Sequence, residues 1–174
     1  MKRIFLLTMI VFSVSSLFAQ KKAKKEADLN TTKWRYEIQC AGIGLDGTYL
    51  IKVWSFSKNP DVAIEQAKKN AVHGIIFKGI VGVSNPNVRC STQKPLASNP
   101  NLEEEKKDFF DMFFANGGKY MKYVNITSDG NISASDRIKV DKEYKIGVIV
   151  SVMKDELRKD LEAAGIIKGL SSGF

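Results

Sequence analysis

The fold of this chain is decided by residues 60–77, PDVAIEQAKKNAVHGIIF. Asn59 is a favoured N-cap residue and Pro60 a favoured first residue, so the stretch begins as a helix. Small side chains recur at four-residue spacing on one face of it: Ala63, Ala67 and Ala71. We therefore predict a helix that lies close against a sheet. Gly74 is expected to interrupt it, at a cost of about 1 kcal/mol relative to alanine.

Before this helix the sequence predicts a β-hairpin. Residues 34–40 alternate apolar and polar side chains, which is typical of a half-buried strand. Asp46 and Gly47 are turn residues, and 48–56 is predicted to be the return strand, with apolar side chains on both faces.

After the helix the sequence predicts a second helix, three strands and a third helix. Asn101 and Glu104 have capping-box spacing and begin a helix with a stripe of four phenylalanines, which we expect in the core. Strands are predicted at 120–127, 137–140 and 144–152, and a last helix at 155–164. Such an order favours an α+β fold, a two-layer sandwich with a mainly antiparallel sheet and about three helices on one face.

The first 19 residues have the layout of a secretory signal peptide. Lys2 and Arg3 precede an apolar run from residue 4 to 18, and the small residue Ala19 follows. We predict export to the periplasm, the outer membrane or the outside of the cell. An uncleaved membrane anchor is the alternative.

Residues 20–30 are predicted to be a disordered, lysine-rich arm ahead of a single domain at 31–174. Of the 27 basic and 19 acidic residues, six basic and two acidic ones precede residue 29, which leaves 21 and 17 and a net charge of +4. The arm is either a solubilising spacer or a contact for anionic lipid or glycan. A nucleic-acid partner would conflict with export.

The two cysteines, Cys40 and Cys90, are candidates for a disulfide in an exported chain. It would close a loop of about 50 residues and contribute about 3–4 kcal/mol. Two buried thiols are the alternative.

No pattern of catalytic or metal-binding residues is found. His73 is the single histidine, and we expect it to be packed in the core or exposed on the surface. A zinc site needs three or four ligands, which the residues near it in the chain do not supply. We therefore expect no metal, no cofactor and no catalysis.

The longest irregular stretch, 84–101, is the first place to look for a contact surface, because long loops are uncommon unless functional or flexible. Together with the arm it supplies these candidate contact residues: Lys21, Lys22, Lys24, Lys25, Asn85, Asn87, Arg89 and Lys94.

A helix with alanines along one face, which follows a strand in a small exported α+β unit, resembles the small outer-membrane lipoprotein-like domain. That domain is also found at the N-terminus of some flagellar assembly proteins. The likeness covers residues 48–80 and rests on Ala63, Ala67 and Ala71. This chain lacks the lipid-bearing cysteine of those lipoproteins. The resemblance implies an envelope-associated interaction module without catalysis.

Our functional hypothesis from the sequence is an exported, non-catalytic protein that binds another component of the cell envelope. The alternative is a small-ligand or glycan-binding protein that uses aromatic side chains on its strands, such as Trp34 and Trp54. The sequence leaves the oligomeric state open.

Overall fold

A computed structural model describes residues 18–44, 47–85, 88–127 and 132–169. Its elements in chain order are α1 (18–32), β1 (Glu37–Ile43), β2 (Thr48–Ser57), α2 (Pro60–Phe77), β3 (Val83–Asn85), β4 (Val88–Cys90), α3 (Leu102–Glu105), α4 (Lys107–Phe113), a 3₁₀ turn (Lys119–Tyr123), β5 (Val124–Ile126), a second 3₁₀ turn (Ala134–Asp136), β6 (Arg137–Val140), β7 (Glu143–Met153) and α5 (Lys154–Ala163). The α+β class predicted from the sequence is confirmed.

The main sheet is antiparallel and centred on β7, the longest strand. Its order is β1-β2-β7-β5, and β2 pairs with β7 over ten residues, from Thr48 opposite Met153 to Ser57 opposite Tyr144. β5 and β6 pair with the C-terminal and N-terminal halves of β7, so together they line one edge. The predicted hairpin of β1 and β2 is present; its residues 45–46 lie outside the described part.

Helix α2 covers the inner face of this sheet, and its bounds are those predicted. The three alanines of its small face are fully buried, and they let the helix axis approach the buried valines and isoleucines of β2 and β7. The side chain of Asn59 accepts a hydrogen bond from Asp61 N–H, so the N-cap is also confirmed. The helix ends before Gly79, which has a φ of +73°.

Gly74 does not interrupt α2. The helix continues through Phe77, and a side chain at position 74 would overlap the end of the Ile38 side chain and crowd the Tyr36 ring. Glycine is therefore required here by the close approach of β1 to the helix.

The prediction of a disordered arm at residues 20–30 is wrong, because these residues lie within α1. Ala23 and Ala27, at four-residue spacing, are buried against Val62 of α2. Ion pairs between Glu26 and Lys58 and between Asp28 and Lys69 also join α1 to the domain. The signal peptide predicted at 1–19 lies outside the described residues except for 18 and 19, which are helical.

Three smaller predictions are also wrong. Trp34 precedes β1 in a left-handed conformation (φ +56°) and is 38% exposed. Asn101 makes no capping hydrogen bond, and the phenylalanine helix is divided into α3 and α4. The first part of the strand predicted at 120–127 is a 3₁₀ turn. The phenylalanine stripe does pack in or against the core, as predicted.

The stretch 84–101, predicted to be irregular, contains β4 and the end of β3, which pair with each other, and it is anchored to the domain at several points. Cys90 forms the predicted disulfide with Cys40, with a Cα–Cα distance of 6.2 Å. Gln93 pairs with Ile80 in a single β-bridge. Leu96 and Ala97 are buried and donate backbone hydrogen bonds to the carbonyls at the end of α2. In the described part of the chain no helix is long and apolar enough to cross a membrane.

Candidate functional site

A cleft of about 510 Å³ opens between α1 on one side and α3 and α4 on the other, with α2 as its floor. The residues that line it and carry the argument below are Asp28, Lys69, His73, Glu103, Phe110 and Phe114. Two of them, Lys69 and His73, lie on successive turns of α2 and are only 8% and 1% exposed.

His73 joins Tyr36, the residue before β1, to Glu103 of α3 through both of its ring nitrogens. Its Nδ1 is 2.7 Å from the Tyr36 hydroxyl, and its Nε2 is 3.0 Å from Glu103 Oε1. Burial raises the pKa of Tyr36 far above its ordinary value, and the negative charge of Glu103 adds to this effect. The hydroxyl therefore keeps its proton. We assign the two hydrogen bonds so that Tyr36 donates to Nδ1 of His73 and Nε2 of His73 donates to Glu103.

Aromatic rings enclose the imidazole. The ring centroids of Trp34, Phe77 and Phe114 lie 5.7, 4.8 and 5.6 Å from that of His73. With both nitrogens bonded and the ring almost fully buried, His73 presents no lone pair to a substrate or a metal. Its chemical effect is to hold the Glu103 carboxylate in one orientation at the wall of the cleft.

No metal centre is found in the described residues, because they contain no group of three or more histidine, cysteine, aspartate or glutamate side chains arranged to hold an ion.

Polar side chains behind the cleft hold α1 against α2. Gln66 donates to Thr31, Thr31 donates to Asn70, and Asn70 donates to Ser55 on β2. All four residues are at most 4% exposed, and no buried side-chain N or O atom in the described residues lacks a partner. A fully satisfied network of this kind specifies one position for α1, because any shift would leave a buried polar group unpaired.

The outward face of α1 is basic. Its lysines Lys21, Lys22 and Lys25 are exposed, as is Lys33 just beyond its end, and none forms an ion pair with a described residue. The two acidic residues of α1 point instead to lysines of the domain. Leu29 lies on the same outward face and is 48% exposed. We call Lys21, Lys22, Lys25, Leu29 and Lys33 the α1 surface.

Lys24, also predicted as a contact, is half-buried in a second cleft of about 530 Å³ beside α1. Of the candidates in the stretch 84–101, Lys94 is exposed. Asn87 and the side chains of Asn85 and Arg89 lie outside the described residues.

A third surface is the outer face of the sheet, which carries Trp54. The indole is half-buried and lies against Gly147 on β7, where a Cβ would come within 3.0 Å of the ring. The ammonium groups of Lys52 and Lys145 lie 4.9 and 5.2 Å from its ring centre. Part of this ring is therefore already engaged in covering a glycine and in cation–π contacts.

Two parts of this site were missed by sequence reasoning. Glu103 lies 30 residues from His73 along the chain, and no local pattern in the sequence pairs the two. Tyr36 is 37 residues from His73. For α1 a signal did exist, since Ala23, Ala27 and Thr31 recur every four residues.

No protein-family model, no curated protein and no solved structure matches this chain.

Proposed function

We propose that this is an exported, non-catalytic protein that binds another component of the cell envelope, and that the α1 surface is its point of contact. The observation that carries the proposal is the arrangement of charge on α1. Its acidic residues are paired with the domain, whereas the lysines of the α1 surface are exposed and have no partner in the described residues.

The chemistry of this surface fits an anionic partner. Three lysines of α1 and Lys33 just beyond its end lie around one exposed leucine. The domain holds this helix in place, so little backbone entropy is lost on binding. Lysine near an anionic envelope surface contributes about 1 kcal/mol per residue, screened by salt.

Export is supported by two features. The N-terminal sequence has the layout of a signal peptide. The Cys40–Cys90 disulfide is of a kind that persists in oxidising compartments. Phe18 is also exposed on α1 but precedes the predicted cleavage bond, so we do not include it in the α1 surface.

The test is a charge substitution that leaves the fold intact. Deleting 21–28 would remove the buried Ala23 and Ala27, whereas Lys22→Gln with Lys25→Gln changes only exposed side chains. Losing two lysines should weaken co-sedimentation with isolated native envelopes about 30-fold, from about 1 kcal/mol each. The control is Lys139→Gln with Lys142→Gln, which makes the same charge change on the β6–β7 hairpin.

The proposal requires the α1 variant to leave the envelope fraction while the control remains in it. Equal loss in both variants would mean that net charge alone governs the association with the envelope. No loss in either variant would show that the α1 surface is not the point of contact. A photo-crosslinker at position 22 then distinguishes a protein partner, which gives a discrete adduct, from lipid or glycan.

The second candidate function is glycan or small-ligand binding on strand aromatics. It is favoured by the incomplete burial of Trp54 on β2. Trp34 is 38% exposed but precedes β1, so it does not belong to the strand surface. If it is correct, envelope oligosaccharides should change tryptophan fluorescence saturably, and Trp54→Ala should abolish that change. An unchanged titration in Trp54→Ala would exclude the sheet face as the site.

A further inference from the structure

The floor of the cleft above His73 is polar, unlike the lining of a packing defect. Gaps left by imperfect packing are lined by apolar groups, because an unpaired polar group is costly to bury. Here the floor is made of Lys69 and His73, one turn apart on α2, and both are held by carboxylates: Asp28 for the lysine and Glu103 for the histidine.

The charges of the cleft do not balance. Among the described lining residues are four carboxylates, Asp28, Glu103, Glu104 and Asp111, and two lysines, Lys69 and Lys107. Each lysine is paired with one aspartate, Lys69 with Asp28 and Lys107 with Asp111. Among the described residues, neither of these lysines is paired with Glu103 or Glu104, and the one such contact of the two glutamates is that of His73 with Oε1 of Glu103.

Glu103 presents an unshared carboxylate oxygen at the cleft. His73 occupies its Oε1, and its Oε2 has no hydrogen-bond partner among the described residues. The side chain keeps 29% of its surface exposed, on the cleft side of the imidazole. A carboxylate oxygen that is fixed and unshared is a strong acceptor for an N–H of a charged donor.

The apolar part of the lining is aromatic. Phe110 is buried and Phe114 half-buried, and both reach the cleft beside Glu103. Their ring centroids are 6.1 Å apart and the rings are nearly parallel, with an interplanar angle of 20°. Carboxylates next to aromatic faces form a site for cations that carry an apolar group.

We propose that this cleft binds a small organic cation, a primary ammonium or guanidinium group on an apolar stem, with the charged group at Glu103 and Glu104 and the stem against Phe110 and Phe114. The volume of about 510 Å³ lies in the range of small-molecule sites. An anionic ligand would meet two lysines that are already paired and the carboxylates of Glu103 and Glu104, neither of which is paired with a described lysine or arginine.

The experiment is calorimetric titration of the disulfide-bonded protein with three probes: phenethylammonium, agmatine and phenylacetate. Phenylacetate has the ring of the first probe and the opposite charge. We expect saturable binding of the two cations, weakening with salt, and none of phenylacetate. Glu103→Gln should weaken cation binding at least tenfold, because it removes the charge while Gln can still accept from His73.

Two further variants separate binding from folding. Glu104→Gln changes an exposed residue of the cleft without a partner in the described chain, and it should weaken binding several-fold. Glu105→Gln, on the same short helix but outside the described lining, should leave binding unchanged. The proposal is overturned if neither cation saturates, if phenylacetate binds as tightly, or if Glu103→Gln and Glu105→Gln behave alike.

This inference is independent of the α1 surface, whose lysines point away from the cleft. The Lys22→Gln, Lys25→Gln variant should therefore bind phenethylammonium as the unmodified protein does, even if it loses the envelope.

Discussion

Replacing Gly74 by alanine is expected to destabilise the unmodified protein, and to be neutral or stabilising in a variant with a shorter side chain at position 38. In an exposed helix interior the change would stabilise the protein by about 1 kcal/mol through helix propensity. In this structure the new methyl group would overlap the terminal carbon of Ile38 and approach Tyr36 Cε2 at 3.3 Å. Overpacking of this kind costs about 1–3 kcal/mol. We therefore expect Gly74→Ala to lower the free energy of unfolding by about 1 kcal/mol.

Shortening the obstructing side chain should reverse the sign. Ile38→Val removes the overlapping carbon and by itself costs about 1 kcal/mol, since Ile38 is only partly buried. In that background the remaining close atom is Ile38 Cγ1, or its counterpart in valine, at 3.1 Å, which small movements can relieve. Gly74→Ala should then be neutral or stabilise by up to about 1 kcal/mol, a coupling of about 1–2 kcal/mol between the two sites.

The assay is urea unfolding of the four proteins of this double-mutant cycle, followed by circular dichroism with the disulfide intact. Equal m values would show that the variants unfold in the same way. The reasoning is refuted if the two substitutions are additive within about 0.5 kcal/mol, because Ile38 would then not be what requires glycine at position 74.

Three further predictions concern the disulfide, acid stability and the α1 interface. Replacing both cysteines by serine should lower the free energy of unfolding by about 4 kcal/mol, from a sequence separation of 50, and a loss below about 1 kcal/mol in urea unfolding would contradict the loop-closure account. Hydrogen bonds from Tyr123, and to a lesser extent from Lys122, lower the pKa of Asp160 to about 2. The charged carboxylate therefore stabilises the fold fully above about pH 4, and this contribution is lost as the pH falls through about 2. In Tyr123→Phe, carboxyl NMR titration should find this pKa closer to 3.8, and an unchanged value would exclude the hydrogen bond as its cause. Ala27→Leu should destabilise by about 1–3 kcal/mol because Ala27 is fully buried against α2, whereas Lys25→Leu on the exposed side should change thermal stability little; equal effects would argue against the packing of α1.

The local signals in the sequence were reliable where several of them agreed. Helix α2 has a cap residue, a proline at its first position and a left-handed glycine after its end, and its predicted bounds are those of the structure. The strand at 144–152 has alternating side chains and lies within β7. Each of these signals acts over a few residues, so no distant part of the chain is needed to interpret it.

The error at α1 has a different cause. Its four lysines within five residues suggested a solvated arm, and the two small alanines that pack on α2 contribute little hydrophobicity. Whether such a helix folds depends on its partner surface, which is supplied by Val62, Gln66 and Asn70 more than thirty residues later.

The sequence by itself determined the α+β class and the helix against the sheet, because propensity, periodicity and composition act along the chain. It predicted the disulfide but left two buried thiols as the alternative, and the structure decided between them. Only the tertiary structure decided that α1 is ordered with its lysines outward, and that Tyr36, His73 and Glu103 meet at the cleft. Tyr36 immediately precedes β1, His73 lies on α2 and Glu103 on α3, so their contacts depend on how helices and sheet pack together. No spacing along the chain encodes such contacts, since distances through space between elements are set by packing.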